Sequence, residues 1–177
     1  MKKFIILLVL SVAIASAFIP KPYTYDIGKA NDFVTENAHR HSQGLCAQYV
    51  RKALEAGGCC TWGHPLSARG YNEFLTALDF SKIPKEGYQP QIGDIVVFDA
   101  VKGHPYGHIA IWNGKQWVSD FLQKNFYVAR GYKQAGDYQI FRMEKTEPKR
   151  HFTLSHHIKG ICMVPCEIKV VTKSNIN

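Results

Sequence analysis

Three residues of this chain have the types and the order that nucleophilic catalysis on an acyl group requires. Cys46 opens a segment with helical periodicity, His108 opens the apolar run 108–112, and Asp120 closes the apolar run after it. A thiol at a helix N-terminus loses its proton more readily, because unpaired N–H groups and the helix dipole stabilise a negative charge there. A histidine can take that proton and return it to a leaving amine, while a carboxylate orients the imidazole. The pattern therefore predicts Cys46 as nucleophile, His108 as base and Asp120 as the residue that orients His108.

The spacing between His108 and Asp120 supports this grouping. Asn113-Gly114 lies between the two apolar runs and is typical of a tight hairpin turn, since both residue types tolerate positive φ. A hairpin centred there places Asp120 about level with position 107 on the neighbouring strand. Alone, a helix cysteine is more often a small buried hydrophobe and an aspartate after a strand a turn residue. We expect the triad because the three residues occur together in this order.

Other polar residues lie close to these motifs. His104 belongs to the loop 102–106 beside the expected site, where it lines a substrate groove or, the reading we favour, is simply solvated. The Gln43 side chain is a candidate oxyanion donor. Asp94 and Asp99 flank an apolar run and are expected to be turn residues.

The cysteine count bears on the nucleophile. The chain has five cysteines, two of them adjacent (Cys59 and Cys60) and two close together near the end (Cys162 and Cys166). In an oxidising compartment an odd count leaves at least one thiol unpaired or paired between chains. Two disulfides joining the first pair to the second would leave Cys46 free, as a nucleophile requires, although the sequence does not give the connectivity.

A metal site is the alternative use of these side chains. Zinc-ligand types occur in Cys59, Cys60, His64, His156, His157, Cys162 and Cys166. Adjacent cysteines lack the spacer of two to four residues typical of zinc knuckles, and disulfides are the expected fate in an exported protein. We expect neither a metal nor another cofactor.

The hydrophobic periodicity predicts helices first and strands afterwards. Helices are expected over 25–38, from an N-cap at Ser42 to Gly57-Gly58, and over 68–78. Strands are expected at 95–98, 108–112, 116–120, 126–128, 138–141 and, as an edge, 168–172, with a charged turn at 145–149. Trp112 and Trp117 are expected to pack as a cross-strand pair. This order predicts an α+β domain with N-terminal helices packed on an antiparallel sheet.

The N-terminus and the charge indicate an exported protein. Residues 1–17 combine two lysines, an apolar stretch and Ala15-Ser16-Ala17, which is typical of a cleaved signal peptide, and the stretch is too short for a stable membrane anchor. Residues 18–177 then form a single domain, expected to be a secreted monomer. Removal of two lysines lowers the formal charge from +8 to about +6, which favours contact with anionic surfaces. We expect no nucleic-acid partner, because basic and aromatic residues are not arranged for base stacking.

Four short motifs resemble the CHAP and NlpC-type papain-like superfamily of peptidoglycan-cleaving cysteine peptidases. They are Gly44-Leu45-Cys46, Gly93-Asp94-Ile95-Val96-Val97-Phe98, Gly107-His108-Ile109-Ala110 and Val118-Ser119-Asp120, and together they span about 42–141. Within that superfamily the chain looks most like the second family of type VI secretion amidase effectors and its domesticated relatives in ticks and mites. The signal peptide and the four extra cysteines depart from an injected toxin and fit a domesticated antibacterial enzyme or a secreted bacterial hydrolase.

The resemblance implies a papain-like fold and a secreted antibacterial enzyme that cuts amide bonds in peptidoglycan peptide stems or cross-links. Its nucleophile and base correspond to Cys46 and His108. The third residue varies across the superfamily, so the match to Asp120 is the weakest of the three. Two alternatives stay open: a thiol protease or acyl transferase acting on another substrate, and a cationic protein that binds bacterial surfaces without catalysis.

Overall fold

Helices pack on an antiparallel sheet in the part of the chain that the computed structural model describes, residues 25–135 and 137–143. The helices are α1 (Ile27–Asn37), α2 (Cys46–Ala56), α3 (Tyr71–Ala77) and α4 (Arg130–Ala135), with a 3₁₀ turn at Ala68–Gly70. The strands are β1 (Ser81–Ile83), β2 (Ile95–Phe98), β3 (His108–Trp112), β4 (Trp117–Val118) and β5 (Tyr138–Arg142). The predicted α+β papain-like architecture is confirmed.

The sheet has the order β1-β5-β2-β3-β4, with every neighbouring pair antiparallel. Strand β2 is buried along its whole length, because both of its faces are covered. One face, with Ile95 and Val97, joins the core formed with α1 and α2. The other face, with Val96 and Phe98, packs against a cluster of aromatic residues from the loop before α4. Pairing with β2 fixes the position of β3, so that His108 lies beside Phe98.

Two predicted strands differ from the observed chain. The segment 116–120 pairs only at Trp117 and Val118, and 126–128 is not a strand. In the second case the rings of Phe126 and Tyr127 lie 5.1 and 5.8 Å from the ring of Phe98, so packing on the sheet face replaces strand pairing. Strand β1 and helix α4 were not predicted, because three and six residues give little periodic signal.

The turn between β3 and β4 also differs from the expectation. Ile111 pairs with Val118 and Trp112 with Trp117, so the loop has four residues, 113–116, rather than two. The Asn113 side-chain oxygen accepts the N–H groups of Lys115 and Gln116, which stabilises this wider loop. The predicted tryptophan pair is confirmed, with ring centroids 5.5 Å apart.

Some predictions lie outside the described residues. These are the signal peptide 1–17, the charged turn 145–149, the edge strand 168–172 and the cysteines 162 and 166. They stay predictions. Within 25–135 and 137–143, no helix has the length and apolar character needed to cross a membrane.

Candidate active site

Cys46 is the first residue of α2, and the loop before it is held by a distant carboxylate. The predicted N-cap, Ser42, is wrong: the helix begins after Leu45, which makes no side-chain cap. Asp120 Oδ2 accepts the N–H of Gln43 at 2.6 Å, the N–H of Leu45 at 3.1 Å and the Ser42 hydroxyl at 3.2 Å. A negative charge at this end of α2 is favoured by the helix dipole. Asp120 thus does from 75 positions away what a local cap would do.

The Cys46 thiol is free and half-buried. Burial raises the pKa of Cys46 above its ordinary value, and backbone hydrogen bonding at Ile109, which lowers it, does not offset that rise. The charge of Asp120 raises the pKa of Cys46 further. The contact with Ile109 also locates the sulfur, because Ile109 follows His108 on β3. The structure therefore places the predicted nucleophile beside the start of the strand that carries the predicted base.

His108 is held in an aromatic pocket at the end of β3. Its ring centroid lies 6.2 Å from that of Phe98 and 6.3 Å from that of Tyr132, and the residue is 7% exposed. Burial lowers the pKa of His108 to about 4, with the Asp120 charge acting in the opposite direction and His104 in the same one. The imidazole is therefore neutral at neutral pH, which is the state a general base requires.

The residue before His108 has no room for a side chain. Gly107 has a φ of +71°, and a Cβ built there would lie 2.4 Å from the carbonyl oxygen of Phe98. The glycine lets β3 begin close against β2 and so sets the position of the imidazole. Gly44, before the nucleophile, has a φ of +72° but open space where a Cβ would stand.

The predicted hydrogen bond from the His108 imidazole to the Asp120 carboxylate is not found. The carboxylate is used instead by the loop before Cys46 and by the Ser119 hydroxyl, which donates to Asp120 Oδ1 at 3.0 Å. The cause is the turn: the chain reverses at Ser119, whose N–H donates to the carbonyl of Phe121, and Asp120 is directed toward α2. A catalytic role for Asp120 stays a prediction, and the geometry makes that role indirect.

Gln123 takes the place that the sequence pattern gave to Asp120. Its side-chain Nε2 is 2.7 Å from His108 Nε2 and donates to the Ser119 hydroxyl at 3.2 Å. The residue is 2% exposed, because the reversal after β4 brings it back beside Trp117, whose carbonyl accepts the Gln123 N–H at 3.0 Å. A chain of hydrogen bonds thus runs from His108 through Gln123 and Ser119 to Asp120. The only sequence signal for Gln123 is that it is a polar residue soon after Asp120. The motif pattern did not single it out.

The other polar candidates make contacts of their own. His104 is exposed, with its ring 5.1 Å from that of Tyr132. The Gln43 side chain is exposed and donates to the carbonyl of His41 at 2.9 Å. Asp94, predicted to be a turn residue, is fully buried and accepts two hydrogen bonds of 2.7 Å from Arg142. That ion pair lies at the end of β2 opposite the one that pairs with His108, so it is part of the framework.

Within the described ranges, no three side chains of the His, Cys, Asp and Glu types are grouped as metal ligands. The arrangement instead offers a free thiol, a neutral imidazole, an amide that orients it, and a helix N-terminus. Those groups are sufficient for nucleophilic attack on a carbonyl with proton transfer.

Two solved chains are similar to this one, and both come from crystal structures of the type VI effector–immunity complex Tae3–Tai3 from Ralstonia pickettii. The native complex gives 36% identity and a TM-score of 0.62, over 68% of this chain and 100% of that one. The selenomethionine complex gives 37% identity and a TM-score of 0.58, over 63% of this chain and 97% of that one. No family model and no curated protein matches the sequence.

These likenesses confirm the resemblance to type VI amidase effectors, although the matched chains are named Tae3 whereas the motifs suggested the second such family. An identity of 36% across the full length of a solved chain is far above the level at which only the fold is shared. This protein belongs to the type VI amidase effector family, with Tae3 of Ralstonia pickettii as a solved relative.

Proposed function

We propose that this protein is an antibacterial cysteine hydrolase that cuts amide bonds in the peptide stems or cross-links of peptidoglycan through an acyl-enzyme on Cys46. The observation that carries the proposal is the free thiol at the start of α2, lying against the backbone of β3 next to a buried neutral imidazole. Membership of the type VI amidase effector family supports the substrate.

The proposed reaction begins from a neutral pair. With the pKa of Cys46 raised and the pKa of His108 lowered, the thiol is protonated and the imidazole is not, so His108 takes the proton as the sulfur attacks. Sulfur bonds to the amide carbon, the tetrahedral intermediate expels the amine, and His108 gives that amine the proton. Water, deprotonated by His108, then attacks the thioester and releases the carboxylic acid and the thiol.

Gln123 fixes which ring nitrogen acts as the base. In the structure the Gln123 amide nitrogen faces His108 Nε2, and the buried amide oxygen has no hydrogen-bond partner among the described residues. Rotating the amide by 180° brings the oxygen to His108 and gives up the hydrogen bond to Ser119, and the proposed mechanism uses this rotated amide. That oxygen then accepts Nε2–H, which leaves Nδ1 unprotonated and able to receive the thiol proton. The N–H groups at the start of α2 are suited to the oxyanion, because they have no partners within the helix.

Digestion of purified peptidoglycan tests this function. The wild-type protein and its Cys46→Ala variant are incubated with sacculi, and the released fragments are separated and weighed by mass spectrometry. We expect peptide fragments from the wild type and none from the variant, with fragment masses that identify the bond. Cys46→Ser serves as the matched control for folding, because it preserves the size of the side chain.

Other results would point to the alternatives. Equal release by wild type and Cys46→Ala would make Cys46 structural and reject the mechanism. Hydrolysis of casein without action on sacculi would favour a thiol protease. Bacterial killing by both proteins that is lost at high salt would favour the cationic surface binder.

We also propose that the protein is secreted and stapled by disulfides. The proposal rests on the signal-peptide pattern of residues 1–17 and on the cysteine pairs 59–60 and 162–166. Protein recovered from the outside of expressing cells should begin near residue 18 by N-terminal sequencing. Peptide mapping without reductant should join the first cysteine pair to the second, and an intact N-terminus or wholly reduced thiols would reject these two claims respectively.

A further inference from the structure

A groove of about 490 Å³ opens beside the candidate active site. Its lining residues come from two segments: Arg40, His41, Ser42, Phe121, Leu122, Lys124, Asn125, Tyr127 and Val128. A groove of this size is in the range of sites that hold small molecules or a few residues of a peptide.

The groove is lined by segments next to the candidate site residues. Ser42, on one wall, donates to Asp120 Oδ2 and belongs to the loop that leads into Cys46. Phe121 and Leu122, on the other wall, lie between Asp120 and Gln123, and Gln123 contacts His108. Both walls of the groove therefore belong to segments that adjoin candidate site residues in the chain.

The groove is lined by positively charged side chains. Arg40 and Lys124 are exposed, and neither forms an ion pair within residues 25–135 and 137–143. The lining contains no carboxylate, and the nearest one along the chain, Asp120, is directed at the loop before Cys46. Apolar walls of Phe121 and Tyr127 flank these cations. Such a groove concentrates a negatively charged ligand.

We propose that this groove is a substrate subsite for an anionic peptide, in which Arg40 and Lys124 pair with free carboxylates on one side of the scissile amide. The proposal rests on the proposed function and adds the charge of the substrate to it. Peptide stems of peptidoglycan carry free carboxylates, and some bacteria convert them to carboxamides. The groove then selects the acidic stems over the amidated ones.

A matched pair of peptides tests the subsite. A soluble cross-linked stem peptide with free carboxylates and the same peptide with carboxamides in their place are given to the wild type and to Arg40→Gln, Lys124→Gln and the double variant. For the wild type we expect KM to be about tenfold lower for the acidic peptide, as a charge-assisted hydrogen bond predicts. Each single variant should lose part of that preference and the double variant nearly all of it, with kcat little changed.

Lys115→Gln is the matched control. Lys115 is an exposed lysine in the loop 113–116, at the end of β3 opposite His108, and its removal changes the net charge by the same amount. It should leave the preference intact. An equal loss with Lys115→Gln would mean that net charge acts rather than the groove, and an unchanged preference in the double variant would overturn the proposal outright.

Binding separates this proposal from the proposed function. Calorimetry with the Cys46→Ala protein measures the affinity for the two peptides without turnover. Tighter binding of the acidic peptide that depends on Arg40 and Lys124, with no cleavage by the wild type, would support the groove and reject the hydrolase. Cleavage of both peptides at equal rates would support the hydrolase and reject the groove.

Discussion

At the scale of single residues, burial determines whether one proton is held by the Cys46 thiol or by the His108 imidazole. Papain-like chemistry can begin from a thiolate beside an imidazolium or from two neutral groups. Here the half-buried Cys46 has a raised pKa and the 7% exposed His108 has a lowered one, so both shifts favour the neutral pair. In the proposed mechanism the proton therefore moves during the attack rather than before it.

This predicts how the thiol reacts with an alkylating agent. The rate of Cys46 modification by iodoacetamide should rise about tenfold per pH unit from pH 6 and show no plateau below about pH 9, because only the thiolate reacts. Mass spectrometry at the Cys46 peptide measures the rate, and Cys46→Ser gives the background. A rate already constant at pH 5 would show a preformed ion pair and contradict the neutral pair.

A second prediction concerns Gln123. Gln123→Leu keeps the volume but removes the hydrogen bond to His108, and loss of an orienting partner typically costs on the order of 10-fold to 100-fold in activity. We expect the loss in kcat with KM nearly unchanged, since Gln123 is 2% exposed. Gln139→Leu is a matched control on β5: its amide donates only to backbone carbonyls, including that of Ile83 at 3.1 Å. Similar kcat values for the two variants would remove Gln123 from the mechanism.

At the scale of elements, α2 depends on the turn after β4. The carboxylate of Asp120 accepts two N–H groups and a hydroxyl from the loop that precedes Cys46. Burial alone would raise the pKa of Asp120, but hydrogen bonds from Leu45, Gln43 and Ser119 outweigh it and hold that pKa below its ordinary value. The carboxylate is thus kept charged where it steadies the nucleophile's loop.

Two variants separate the structural and electrostatic parts of this role. Asp120→Ala should lower the free energy of unfolding by about 1–3 kcal/mol, because the loop donors lose their acceptor. Asp120→Asn keeps an acceptor oxygen but removes the charge that raises the pKa of Cys46, so its alkylation profile should shift to lower pH. Urea unfolding and the alkylation assay measure the two effects. An unshifted profile in Asp120→Asn would limit Asp120 to holding the loop.

The two glycines that shortly precede Cys46 and His108 allow a comparison of matched substitutions. Gly107→Ala places a Cβ 2.4 Å from the Phe98 carbonyl at positive φ, whereas Gly44→Ala meets only the positive φ. We expect a loss of stability of more than about 2 kcal/mol for Gly107→Ala and of about 1 kcal/mol for Gly44→Ala. Thermal and urea unfolding provide the comparison, and equal losses would mean that the Phe98 contact relaxes freely.

The sequence predicts an element well when its signal is local. Strands β2, β3 and β5 were expected within a residue or two, because four or five consecutive apolar or alternating residues specify them. The segment 126–128 has the same composition but packs its rings on Phe98, a contact that depends on the finished sheet. The predicted N-cap at Ser42 was wrong for a similar reason. The carboxylate that accepts the N–H groups of this loop belongs to Asp120, which is far away along the chain.

The site shows the same limit. Cys46 and His108 were each expected at the start of an element, and both are found there because the elements they open are strongly periodic. Asp120 does not contact His108 because the loop after Trp112 has four residues instead of two, and the chain then reverses at Ser119. Hydrogen bonds to the Asn113 side chain stabilise the longer loop. The longer loop shifts the segment that follows it, so that Gln123 rather than Asp120 lies beside the imidazole of His108.

At the scale of the whole molecule, the two ends of the sheet have different roles. The end near Asp94 is closed by a buried ion pair with Arg142 and by the Tyr88 hydroxyl, which donates to Asp94 at 2.8 Å. The other end carries His108, a buried base kept neutral. Stability is therefore linked to the protonation of the residue that the proposed mechanism uses as its base.

This linkage predicts an acid-sensitive fold. The unfolded chain binds a proton at His108 near pH 6.5, while the folded chain resists it until about pH 4, so the free energy of unfolding falls as the pH drops through that window. Between pH 7 and 4.5 the contribution is about 2 kcal/mol. Urea unfolding should show that the free energy of unfolding of His108→Gln falls by about 2 kcal/mol less over this pH range than that of the wild type. Parallel curves for the two proteins would place the acid sensitivity elsewhere.

The half-buried sulfur of Cys46 has a further consequence for the lifetime of the protein outside a reducing environment. Peroxide oxidises thiolates and spares thiols, so the burial that raises the pKa of Cys46 also slows its conversion to sulfenic acid. Burial thus keeps the sulfur of the resting molecule in its protonated form. We therefore expect Cys46 to stay reduced on exposure to oxidants that convert a cysteine whose thiolate is already formed.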